Sequence, residues 1–263
     1  MVPSTPSGRL LGGAALAALA LGILTLLVVT GALTGLDNYA VRRLMPGLYP
    51  YVVHGRVWAW SAHTIVQNPN RIVNRIADRT IAPADSLPSL VLLTATLGLG
   101  IAARRISVRS AAIWAGAFVA TLLAEQLGKH TISRPALLLP TPGGLVQLTK
   151  FDHSFPSGHA TRAIMLAVVM ASLLPWRPVR ILPVLWATVV VFLLVLAGTH
   201  ALTDVLGGIL LSATAVLACA SVAPLWGVAR SRARSISSRG ILAERSGPGV
   251  EPSQRGAATP HRF

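Results

Sequence analysis

Leu10–Leu36, LLGGAALAALALGILTLLVVTGALTGL, runs for 27 residues without a charge. A bilayer core needs about 20 apolar helical residues, so this stretch is long enough to cross one. A cleavable secretory leader is the competing reading. Its apolar core is usually about 7–15 residues long and is not followed by further spans. Five more apolar runs follow here, at Ser86–Ala103, Ser110–Ala124 (extendable towards Gly128), Pro156–Leu174, Ile181–Thr199 and Val205–Ala229. The first run is therefore expected to be a retained helix. The chain as a whole reads as an all-α polytopic membrane bundle of about six transmembrane helices.

The composition agrees. Hydrophobic residues make up 53% of the 263 residues and charged ones 12%, with a mean hydropathy of +0.63. An average soluble domain carries about 25% charge, so a solvated surface and disorder are both excluded for most of the chain. Cys219 is the single cysteine. An internal disulfide, a thiolate zinc site and a Cys-x-x-Cys redox pair are thereby excluded. Its apolar neighbours make it a small core residue.

Twenty-three Lys and Arg against eight Asp and Glu give a net +15, which in a soluble protein points to nucleic acid. In a membrane protein it reports topology first. Arg104, Arg105 and Arg109 lie between the second and third runs, and Arg177 and Arg180 between the fourth and fifth. Seven Arg against two Glu follow Ala229. Six spans put these segments on one side, which the positive-inside rule makes the cytoplasm. Both termini are expected there, in the plasma membrane.

Four segments follow: 1–36 with the first helix, an extracytoplasmic loop 37–85, a five-helix core 86–229, and a basic tail 230–263. The loop has six Arg and three Asp, and all three tyrosines (Tyr39, Tyr49, Tyr51) with Trp58 and Trp60. Such aromatics suit short helices at the headgroup level. Trp176 and Trp226 are expected in the cytoplasmic aromatic belt. The tail is expected to be disordered and to lie on anionic lipid; no nucleic-acid partner is expected.

Three polar groups then fall on the outward side. They are Lys129-His-Thr-Ile-Ser-Arg134-Pro135, Phe155-Pro156-Ser157-Gly158-His159 and His200-Ala-Leu-Thr-Asp204. Pro-Ser-Gly at a helix start leaves unpaired N–H groups for an anion. Lys129 and Arg134 offer positive charge and a fork for phosphate oxygens. A helical turn puts His200 and Asp204 on one face, the carboxylate holding one ring nitrogen protonated and freeing the other as nucleophile. His159 is then available as general acid. Each group also has a plainer reading, as an N-cap, an interfacial anchor or a surface pair. A zinc site of His153, His159, His200 and Asp204 is a further alternative, disfavoured by the nearby cations.

Together with Gly198-Thr199-His200 and Asp204-Val205-Leu206-Gly207-Gly208, these residues resemble the type-2 phosphatidic acid phosphatase and vanadium haloperoxidase superfamily. The resemblance covers roughly residues 37–208. It implies six helices, an extracytoplasmic site, and removal of phosphate from lipid phosphates or diphosphates with no metal or other cofactor. It also implies His200 as nucleophile, Asp204 as its orienter, His159 as acid, and Ser157, the Gly158 amide and Lys129 as phosphate ligands.

Two departures stand out. The family places Arg-Pro seven residues after its lysine, where this chain has Ala136-Leu137; Arg134-Pro135 comes two residues early. An arginine is also usual six residues before the nucleophile, where Leu194 stands. Arg162 and Lys150 are candidate replacements. A phosphohydrolase is thus the leading expectation. A weakened lipid-phosphate binder or transporter, and a phosphotransferase to an alcohol, are the alternatives.

Overall fold

A computed structural model describes residues 6–44, 71–141, 144–147, 151–197 and 199–225 of the chain. The expectations for Tyr49, Tyr51, Trp58, Trp60, Lys150, Gly198, Trp226 and the tail 230–263 lie outside the described residues.

Each of the six apolar runs is a helix: α1 (Pro6–Val29), α4 (Ser86–Ala102), α5 (Val108–Thr131), α6 (Gly158–Leu173), α7 (Ile181–Leu196) and α8 (Leu202–Val222). Two shorter helices, α2 (Thr34–Leu44) and α3 (Arg71–Ile81), come from the segment between the first two runs. Among the described residues, the departure from an all-α expectation is one antiparallel hairpin. It consists of β1 (Leu138–Thr141) and β2 (Gly144–Gln147), with Leu138 opposite Gln147. Pro142-Gly143-Gly144 in the sequence is a turn signal that the search for apolar runs passes over.

Four helices are long and apolar enough to cross a bilayer by themselves: α1, α5, α7 (with the short turn before it) and α8. A fifth span arises if α3 and α4 are one element, bent by 58°. The bend falls where a 3-10 turn, Ala82–Ala84, contains Pro83. Proline removes a backbone donor and crowds the preceding turn, which ends an α-helix. The indole of Trp186 on α7 then fixes α3 by donating to the Thr80 carbonyl at 3.0 Å.

The sixth run, α6, has 16 residues and so rises only about 24 Å, short of a bilayer core of about 30 Å. It is buried on nearly every side, against α4, α5, α7 and α8. A helix apolar all round belongs at the centre of a bundle. Its neighbours rather than lipid surround it, which removes the need for full span length.

The outer helices show the opposite pattern. Leu16, Leu19 and Leu26 on α1, Leu123 and Leu127 on α5, and Leu185, Val189 and Phe192 on α7 are all exposed. Contiguous apolar faces of this extent are stable in contact with lipid and not with water. The chain is a multi-pass membrane protein.

Side chains seal the two ends differently. At one end Trp114 donates to the Ala223 carbonyl at 2.9 Å, Arg105 to Leu173 at 2.6 Å and Arg180 to Leu174 at 3.1 Å. These donors satisfy helix-terminal carbonyls that have no intrahelical partner. Ser107 caps α5 there by accepting from the Ser110 amide at 3.1 Å. At the other end lie the C-termini of α1, α5 and α7 and the N-termini of α4, α6 and α8. Gly31 closes α1 at this end with a φ of +75°, a left-handed value that disfavours a side chain, and an added Cβ would stand 2.8 Å from Pro135.

Candidate active site

The three polar groups of the sequence meet at that second end. α6 begins at Ser157, whose buried hydroxyl is its N-cap and accepts from the Ala160 amide at 3.4 Å. The Ser157 amide donates to the Asp204 carbonyl at 2.9 Å, which ties the start of α6 to the first turn of α8. His159 follows on α6, and its ring lies 5.7 Å from that of His200 between centroids, tilted by 58°.

His200 and Asp204 do not share a helix. His200 precedes α8, while Asp204 is in its first turn and accepts from the Ala201 amide at 3.0 Å. An acidic residue in a first turn binds exposed amides and complements the helix dipole. This local preference starts α8 after His200 rather than through it. The two side chains still approach, with His200 Nδ1 3.8 Å from Asp204 Oδ2. Nδ1 is buried and makes no hydrogen bond, so Asp204 is the group that faces it.

Asp204 is heavily engaged elsewhere. Its Oδ2 accepts from the Ser154 hydroxyl at 2.5 Å, and its Oδ1 from Arg134 Nη1 at 2.8 Å. Arg134 Nη2 donates to Asp37 on α2, and to the Thr203 hydroxyl at 3.1 Å. Asp37 also accepts from the Thr203 amide at 3.0 Å and hydroxyl at 2.7 Å. Arg134, Asp37 and Asp204 are all buried. The sequence offers Arg134 as a phosphate fork; the structure spends both its terminal nitrogens on carboxylates. The early Arg-Pro is therefore a change of partner as well as of spacing.

A second cluster surrounds the start of α6. Lys129 on α5 contacts Glu125, one turn earlier, at 2.5 Å. The other Glu125 oxygen pairs with Arg162, whose Nε donates to the Ala84 carbonyl at 2.6 Å. Glu125 lies directly on Gly158, where any Cβ would overlap its carboxylate. The N-terminus of α6 thus has an anion beside it already, flanked by two cations, and the anion is the protein's own. Asp85, the N-cap of α4, makes no cap hydrogen bond; its carboxylate binds His159 Nε2 at 2.8 Å instead. His159 Nδ1 is buried without a partner.

Two histidines, one facing the buried Asp204 and the other bound to the exposed Asp85, lie here with paired cations at a helix N-terminus. Residues 110–227 match the family model described as the PAP2 superfamily. The chain carries a PAP2 superfamily domain. That domain, set among several apolar membrane helices, makes this a membrane protein of the phosphatase type, in a superfamily that generally hydrolyses phosphate esters. No solved structure matches the chain.

The PAP2 domain holds His159, His200, Asp204, Lys129, Arg134, Ser157 and Gly158, all singled out from sequence. Arg162, a candidate replacement for the arginine absent at Leu194, reaches the same cluster as Lys129. Leu194 itself is fully buried, and its carbonyl accepts from the amides of Thr199 and His200. Glu125, Ser154, Thr203, Asp37 and Asp85 join these residues only in the structure. Glu125-x-x-x-Lys129 is an i,i+4 pair and was legible in principle. Asp85-Ser86 ahead of an apolar run reads as an ordinary N-cap, and Asp37 as a loop residue.

Proposed function

We propose that the protein is an integral membrane phosphohydrolase for lipid phosphates or lipid diphosphates, acting without metal through a phosphohistidine on His200. The observation that carries this reading is the placement of the two histidine rings 5.7 Å apart at the starts of α6 and α8, with Asp204 facing His200. Asp204 favours the tautomer with its proton on Nδ1, leaving His200 Nε2 as the attacking atom. The Nε2–phosphorus bond forms as the bond to the lipid oxygen breaks, and His159 delivers a proton to that oxygen. Water then attacks the phosphohistidine, giving its proton to His159 and releasing inorganic phosphate. Lys129, Arg162 and the Gly158 amide receive the phosphate oxygens, with Glu125 moving aside.

The lipid tail stays in the bilayer and the headgroup enters at the interface, which is why a site at one end of the bundle suits this substrate class. By the positive-inside rule, the arginines at the opposite end support a reading with that end and both termini in the cytoplasm and the site outside, in the plasma membrane. The tail 230–263 adds an attraction to anionic lipid.

Phosphate release by the purified protein in detergent, across lipid mono- and diphosphates, tests the reading. Wild type is expected to turn over, and His200→Ala and His159→Ala to lose nearly all activity. Wild-type rates no higher than those of the variants would sink it. Glu125 of α5, beside the start of α6, and the burial of Leu194 favour a second reading, a binder or transporter that holds headgroups without hydrolysis. Headgroup binding with no turnover supports that one. Phosphate appearing on an added alcohol rather than in water identifies a phosphotransferase.

A further inference from the structure

We propose that Asp37, acting through Arg134, is a positioning residue for the Asp204–His200 pair, so that a helix ahead of the PAP2 domain completes its nucleophile. Asp37 lies on α2, outside the matched residues 110–227. Its two carboxylate oxygens bind Arg134 Nη2 and both the amide and hydroxyl of Thr203, the residue beside Asp204. One side chain therefore fixes the guanidinium and the helix turn that presents Asp204.

Arg134 passes the constraint on. Its Nη1 holds Asp204 Oδ1 at 2.8 Å, while Ser154 and the Ala201 amide hold Oδ2. With both oxygens fixed, Oδ2 stays towards His200 Nδ1, which has no other partner. A carboxylate free to rotate loses that alignment, and alignment of the base partner is what sets the nucleophile's tautomer. The guanidinium is also kept out of the anion site, since its side chain is 3% exposed and both Nη atoms are occupied. Charge points the same way. Arg134 between two buried carboxylates is already overmatched by negative charge, so it is not electrostatically available to recruit a phosphate.

The assignment rests on the phosphohydrolase reading for its kinetics, and its test has an arm that does not. Asp37→Asn keeps the shape and the acceptor for the Thr203 amide but removes the charge that holds Arg134. A positioning role lowers kcat by about tenfold or more with KM within about twofold, the pattern of a lost transition-state interaction. In an Asp204→Asn background the same change has no further effect, because nothing remains to be positioned. A phosphate-ligand role for Arg134 predicts instead a raised KM at constant kcat for Arg134→Lys.

Vanadate binding, measured by calorimetry on the full chain in detergent, supplies the second arm. Asp37→Asn is expected to weaken it about tenfold in the native background and not in the Asp204→Asn one, in parallel with transition-state binding. A wild type that turns over no lipid phosphate removes the hydrolase reading and leaves this arm to decide. Additive losses in the two backgrounds, a KM effect alone, or no vanadate binding by wild type each overturn the proposal. If Asp37→Asn does not fold, Arg134→Lys is read by the same double-variant comparison.

Discussion

Arg134 donates to Asp204 across 2.8 Å in an interior where neither side chain meets solvent to any extent. Of all the contacts near the two histidines, this one departs most from what the spacing of the residues suggests. It pairs an arginine expected to face substrate with the carboxylate that faces His200, the proposed nucleophile.

Removing that arginine should cost stability first. Arg134→Ala leaves Asp37 and Asp204 buried without their shared cation, and breaking a buried pair in this way costs about 3–5 kcal/mol. Thermal unfolding in detergent is expected to show a large drop for Arg134→Ala and a smaller one for Arg134→Lys. Equal melting temperatures for wild type and Arg134→Ala would contradict the ion cluster.

Glu125 should act on ligand affinity. Its carboxylate pairs with both Lys129 and Arg162 beside Gly158, so it competes with any external anion for the same cations. Glu125→Gln removes the competing charge. Vanadate inhibition is expected to tighten by about tenfold, equivalent to roughly 1.4 kcal/mol. Weaker inhibition would mean that Glu125 instead holds the cations in place for substrate.

The pH profile should report Asp85. The proposed roles of His200 as nucleophile and His159 as acid predict a bell-shaped dependence of kcat/KM. Asp85 binds His159 Nε2 at 2.8 Å, and its carboxylate favours the imidazolium against the burial of the ring and the neighbouring His200, which both disfavour it. Asp85→Asn is therefore expected to move the alkaline limb, where the acid is lost, to lower pH. A profile identical to wild type would separate Asp85 from the acid's function.

Leu194→Arg is expected not to restore the arginine of the wider family. Leu194 is fully buried in a cluster with Ala187, Val190 and Val205. A guanidinium forced into that cluster lacks a partner and overpacks it, so lower stability and lower activity are both expected. Activity above wild type, with an unchanged melting temperature, would show that the position opens to the site.

Much of this architecture is readable without coordinates. Uncharged runs such as Leu10–Leu36 and Ile181–Thr199 mark helices because a bilayer tolerates little else. The alternation of those runs is also what gathers His159, His200 and Lys129 at one end, since successive helix ends alternate sides. α6 was legible as a helix, but not as the buried centre of the bundle. Its length is below a full span, and only its neighbours show why that suffices.

Membrane helices and their order were thus determined by local composition and by distances along the chain. The pairings of charge were decided only in three dimensions. Arg134 meets Asp37 across 97 positions and Asp204 across 70, and His159 meets Asp85 across 74. Helical periodicity relates residues three or four apart and carries no information about such partners. Which carboxylate satisfies a buried cation depends on which helix ends pack together. That packing pairs Arg134 with Asp37 and Asp204 rather than leaving it a free clamp.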